Sequence, residues 1–177
     1  SQSVRDTPRG NKSDGRNLGI WWLDEVGSST CSCSPRDISN PPKVVGSYVA
    51  YKKIGKLIYI SGQLPFKKDG SLIKGKVGLD INLEKSQEAA YYCCVNILAQ
   101  LNEACNKNLD SVKNCIKITG FVNSIDTFID QPKVINPASE LLVKVFGDKG
   151  KHARAAVSVN SLPMGVAVEI EAIFEIN

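Results

Sequence analysis

The sequence predicts an α+β domain in which two helices pack on one face of a mixed, mostly antiparallel sheet. Three observations carry this expectation. Strand-like and helix-like segments follow one another in the order ββαβαββ. Two segments repeat their apolar residues at helical spacing. The last segment, Val166 to Ile176, alternates strictly: Val168, Ile170, Ala172 and Phe174 point to one face, and Glu169, Glu171, Ile173 and Glu175 to the other.

Each element has its own signal. Residues 1–40 are polar and rich in Gly, Asn and Ser, so a flexible arm is expected there, with Trp21 and Trp22 as an aromatic island that should pack against something. Asn40-Pro41-Pro42-Lys43 closes the arm, and the domain runs over 41–177. Tyr48–Lys52 and Leu57–Ser61 read as a strand pair with Ile54-Gly55 at its turn. Asp69-Gly70 signals another turn. A long helix is expected from Glu84 to Asn106, its stripe formed by Ala90, Cys94, Ile97, Leu98, Leu101 and Cys105. A strand from Ser111 to Asn123 follows, with Ile116, Ile118, Gly120 and Val122 on one side and Lys117, Thr119 and Phe121 on the other. The second helix starts near Pro132 or near Pro137, where Asn136 would be the N-cap, and Gly147 ends it. Arg154–Asn160 and Val166–Ile176 read as a closing hairpin around Leu162-Pro163-Met164-Gly165.

Composition narrows the function classes. The 177 residues are 42% hydrophobic and 23% charged, ordinary for one globular domain. A net charge of +4 with scattered lysines leaves no electrostatic footprint for nucleic acid. No apolar run approaches the roughly 20 residues that span a bilayer. Of the six cysteines, only Cys31-Ser-Cys33 suggests metal or disulfide chemistry, and the single histidine, His152, is distant from it. Neither a metal nor a cofactor is expected, and a cytoplasmic location with reduced thiols is, with a mitochondrial leader as the alternative.

Candidate chemistry gathers near the C-terminus. An arginine, Arg154, and two carboxylates, Glu169 and Glu171, fall within one predicted hairpin. An arginine holds a carboxylate bidentately, and a glutamate can carry a proton. Alternating acidic residues more often mark the wet face of a strand, so spacing alone does not make a site. Ala153-Arg154-Ala155-Ala156-Val157, Leu162-Pro163 and Val168-Glu169-Ile170-Glu171-Ala172 resemble the C-terminal signature of the RidA/YjgF family, also known as endoribonuclease L-PSP. Val45-Gly46-Ser47-Tyr48, Ile58-Tyr59-Ile60-Ser61-Gly62-Gln63-Leu64-Pro65 and Thr119-Gly120-Phe121-Val122-Asn123 resemble its earlier blocks, in family order, over residues 43–176. The stretch Gln131-Pro132-Lys133-Val134-Ile135-Asn136 and the insert around Gly75-Lys76-Val77-Gly78 are similar to the long-form, chorismate-mutase-like branch.

The resemblance implies homotrimers with ligand clefts between adjacent subunits, and hydrolysis of reactive enamines or imines such as 2-aminoacrylate to 2-keto acids and ammonia. It implies Arg154 as the substrate-carboxylate partner, Glu169 as the acid/base that positions water, and Tyr48 as a pocket hydroxyl. Ser61, Gly62, Phe121 and Asn136 match further pocket positions, and Glu171 could exchange roles with Glu169. Many family members carry a cysteine two residues after the arginine, where this chain has Ala156. Two other readings stand beside the deaminase: a keto-acid-binding or regulatory trimer without turnover, and an endoribonuclease.

Overall fold

The computed structural model describes residues 41–44 and 46–177. The expected arm, with Trp21, Trp22, Cys31 and Cys33, lies outside the described residues. The elements are β1 (Tyr51–Ile54), β2 (Leu57–Gln63), α1 (Leu83–Ala104), β3 (Val112–Asn123), α2 (Gln131–Phe146), β4 (Ala153–Val159) and β5 (Val168–Ile176). The sheet order is β1-β2-β5-β3-β4, with β3 and β4 parallel and every other pair antiparallel. Two helices against one face of a mixed sheet is the architecture the sequence predicts.

β1 and β2 form a tight hairpin whose two-residue turn places Gly55 at φ +58°, a left-handed position that glycine adopts without steric cost. Tyr48 does not open β1 as expected; it precedes the strand in a bend and is 54% exposed. The reason is a bulge in β2: its register against β5 shifts between Ile60 and Gln63, so the regular β1–β2 ladder stops at Tyr51. Ser61 then takes over, its N–H donating to the Ala50 carbonyl and its hydroxyl to that of Val49.

α1 is capped by Asn82, whose side chain accepts from the Lys85 N–H at 2.9 Å. Its predicted stripe is buried, yet burial extends round the helix over ten consecutive residues, 93–102. Asn96 and Gln100 sit on the added flank. Asn96 donates to the Leu64 and Phe66 carbonyls and Gln100 to that of Pro42, so flanking chain roofs the helix through its backbone acceptors.

β3 carries a bulge between Cys115 and Lys117 that turns both Cys115 and Ile118 inward. Ile116, expected to face the core, is consequently 40% exposed. α2 runs straight through Pro137, so Asn136 is a helix-interior residue and not an N-cap. A proline cannot donate to the carbonyl four residues back. The Lys133 carbonyl accepts instead from the Gln87 side chain of α1, at 2.9 Å.

The last two strands do not form the expected hairpin. α2 returns the chain to the start of β3, so β4 enters parallel to it on the sheet edge. The connection that follows spends its backbone bonds elsewhere. Gly75 N–H donates to the Gly165 carbonyl, Ala167 N–H to that of Ile73, and Lys76 Nζ to that of Asn160 at 2.7 Å. The insert thereby leads β5 away from β4 and into the centre of the sheet. The core lies between the helices and the face bearing Ile58, Ile60, Ile118, Val122, Val168, Ile170, Ala172 and Phe174.

Candidate active site

Strict alternation in β5 buries Val168 and Ile170 and turns Glu169 to the opposite face, where it pairs with Phe121 of β3. Its carboxylate lies against Gly62; a Cβ at Gly62 would collide with Glu169 Oε1. The bulge of β2 thus provides a side-chain-free surface on which the carboxylate rests. Burial holds the Glu169 carboxyl above its ordinary range, and the nearby Glu171 pushes it further the same way. Glu171 itself is exposed. Of the two carboxylates, Glu169 is the one whose burial favours the protonated form.

Glu169 and Gly62 line a cleft of about 410 Å³ together with Tyr48, Gln63, Phe66 and Met164. Ser61 stands beside the cleft rather than in its lining, its hydroxyl committed to Val49 at 2.7 Å. Tyr48, Gly62 and Glu169 are therefore brought together as expected of a pocket.

Arg154 forms a second cluster. It pairs in register with the buried Ile118, which puts it on the helix-covered face at the β4 edge. Its Nη1 donates to Asn136 Oδ1 at 2.9 Å and to Ser139 Oγ at 3.2 Å, and Nη2 makes a longer contact of 3.4 Å with the Pro132 carbonyl. Ser139 also meets His152 Nε2 at 2.9 Å, while His152 Nδ1 meets the Gly150 carbonyl at 2.6 Å. Asn136, expected in the site, is here; Ser139 and His152 were not singled out from sequence. Their available signals were the i,i+3 spacing of Ser139 from Asn136 and the position of His152 two residues before Arg154.

Arg154 and Glu169 face opposite sides of one sheet, and no hydrogen bond or ion pair between described residues joins the two clusters. Among the described residues, no group of three or more His, Cys, Asp or Glu could hold a metal ion, and no helix is long and apolar enough to cross a membrane.

Comparison with known proteins gives consistent results. The model of the YjgF/chorismate mutase-like family, whose description adds a provisional endoribonuclease label, matches residues 34–174. Protein TCP17 of Trypanosoma cruzi is 40% identical over 132 residues, covering 74% of this chain and 82% of its own. The crystal structure of Atu1372 from Agrobacterium tumefaciens, a protein of unknown function, is 41% identical with a TM-score of 0.78, covering 90% of this chain and 93% of its own. RidA from an Antarctic Psychrobacter is 31% identical with a TM-score of 0.53, covering 77% of this chain and 94% of its own.

Proposed function

This chain belongs to the YjgF/chorismate mutase-like family, and from that premise we propose that it hydrolyses enamine and imine intermediates of the 2-aminoacrylate type to 2-keto acids and ammonia. The observation that carries the reading is the Glu169 carboxyl, half-buried against Gly62 in a cleft and held above its ordinary range. Arg154 takes the substrate carboxylate through the guanidinium edge that Asn136 and Ser139 leave open. The Glu169 carboxylate accepts a proton from water as the water oxygen bonds to the carbon of the protonated imine and the C=N π pair moves onto nitrogen, giving a neutral carbinolamine. Glu169 passes that proton to the amine; the C–N bond then breaks with its electron pair leaving on ammonia, while the hydroxyl gives its own proton back to the Glu169 carboxylate and the keto group forms. Imines hydrolyse slowly unaided, so alignment and one proton carrier supply enough acceleration.

Because Arg154 and Glu169 lie on opposite faces of one sheet, the proposed site joins the Arg154 cluster of one copy to the Glu169 cleft of the next, in a homotrimer. Cys93, Cys94, Cys105 and Cys115 are buried thiols that form no disulfide among the described residues, which favours a reducing compartment such as the cytosol. Both ring nitrogens of His152 are engaged, which leaves the endoribonuclease reading without a free imidazole base.

The test is ammonia release from enzymatically generated 2-aminoacrylate. Wild type accelerates it, and Arg154→Ala and Arg154→Lys both lose the acceleration, since an ammonium cannot reproduce the planar fork. A folded wild type that binds 2-ketobutyrate without releasing ammonia would instead favour the binding trimer.

A further inference from the structure

We propose that Ser139 and His152 are positioning residues that hold Arg154 ready for a substrate carboxylate. The inference rests on the reading that Arg154 receives that group, and deepens it by naming what sets its orientation.

The direction of the hydrogen bonds fixes the roles. The Gly150 carbonyl can only accept, so His152 Nδ1, 2.6 Å away, carries the proton. In the neutral ring Nε2 is then an acceptor, and the Ser139 hydroxyl donates to it across 2.9 Å. With its hydrogen committed, Ser139 turns oxygen lone pairs to Arg154 Nη1 at 3.2 Å. Were the ring turned over or absent, the hydroxyl would be free to rotate and compete with the arginine's own donors.

The far end of this chain is anchored as well. Gly150 is buried so tightly on α2 that a Cβ there would run into the Leu142 carbonyl. Its carbonyl therefore stands at a fixed place relative to the helix that carries Ser139 and Asn136. Arg154 comes from a different element, β4, and its Nη1 is gripped by both α2 side chains at once. The opposite guanidinium edge keeps only the 3.4 Å contact of Nη2 with Pro132. A long, flexible side chain is thus ordered before a ligand arrives, which removes that cost from binding.

The two nitrogens of His152 can be imitated separately. Asparagine places its amide where Nδ1 stands and keeps the Gly150 tether; glutamine places its amide oxygen where Nε2 stands and keeps the acceptor for Ser139. In the 2-aminoacrylate assay, Ser139→Ala and His152→Asn are expected to raise KM about tenfold with kcat nearly constant, because a pre-ordered contact is shared by ground and transition states. His152→Gln should restore most of the loss. A second arm needs no substrate: the rate at which phenylglyoxal modifies Arg154, read by peptide mass. It should rise severalfold in Ser139→Ala and His152→Asn and stay near wild type in His152→Gln.

The opposite pattern, with His152→Asn silent and His152→Gln defective, would make the histidine a loop tether and overturn the proposal. So would an unchanged KM in Ser139→Ala alongside loss of function in Arg154→Ala. If wild type shows no turnover, the deaminase reading falls, and the phenylglyoxal rates decide the positioning role alone: equal rates in all variants would end it. Ser139→Ala, a small change on a helix surface, keeps the test open should the histidine variants fold poorly.

Discussion

At Gly62 a single methyl group decides whether Glu169 can keep its place. The glycine does not have a positive φ, so alanine there strains no backbone; its Cβ would simply occupy the position of the Glu169 carboxylate. Gly62→Ala should therefore fold normally and lose on the order of a hundredfold in kcat, the scale of a 1 Å misplacement. Steady-state kinetics beside a thermal melt would separate the two effects; equal losses of stability and activity would count against it. Glu169→Gln should remove hydrolysis by roughly 10²–10⁴-fold. It should also stabilise the fold at neutral pH. The folded-state pKa of Glu169 is raised, so the native protein binds the proton more tightly than the unfolded chain, and ionisation costs stability as pH rises through those values. The Tm gap between Glu169→Gln and wild type should thus be widest at neutral pH and close below the ordinary carboxylate range. A gap independent of pH would show that ionisation is not its source. Arg154, Glu169 and Gly62 were legible in the sequence because each sits inside a recognisable local string. Ser139 and His152 were not, because their link to Arg154 exists only once α2 lies beside β4.

Among the elements, α2 shows how a helix tolerates an interior proline. Its missing bond at Lys133 is replaced by Gln87 from the neighbouring helix. Gln87→Ala should cost about 1 kcal/mol by chemical denaturation. In a Pro137→Ala background the restored N–H can take over the Lys133 carbonyl, so the same change should cost much less. Strict additivity of the two substitutions, within about 0.3–0.5 kcal/mol, would refute the exchange. The sequence offered two starts for this helix, each at a proline, and only the first is used. The choice depends on Gln87, 46 residues before the acceptor it satisfies, which no local rule weighs. The same limit appears on α1. Its stripe was readable from periodicity, whereas the burial of Asn96 and Gln100 depends on where Leu64, Phe66 and Pro42 come to rest. Burial of the thiols on these elements has a chemical reading: desolvation, the largest influence on both, pushes Cys93 well up and Cys115 up to about 12, so both are inert to thiol reagents in the native fold.

For the whole molecule, the decisive feature is the face of the sheet that neither α1 nor α2 covers. It exposes Tyr59 at 42% and Val157 at 45%, beside Phe121 and Ile173. A trimer closed on this face predicts a solution mass near three times 19.2 kDa by sedimentation. Val157→Asp should shift that mass toward the monomer and abolish turnover while leaving the circular dichroism of the domain intact; an active monomer would separate the site from assembly. The α+β class and the two-helix cover were legible from element order and alternation. Strand order was not, because the pull of the insert on the chain between β4 and β5 is a set of backbone bonds that composition does not encode. That strand order also bears on how the protein is made. β5 is the last strand of the sheet in chain order and yet joins β2 to β3 across its middle. During synthesis the β1–β2 hairpin and the β3–α2–β4 unit must wait as separate pieces, each with an unpaired strand edge, until β5 has cleared the ribosome. The sheet is thus completed by the last of its strands to emerge, and that same strand delivers Glu169.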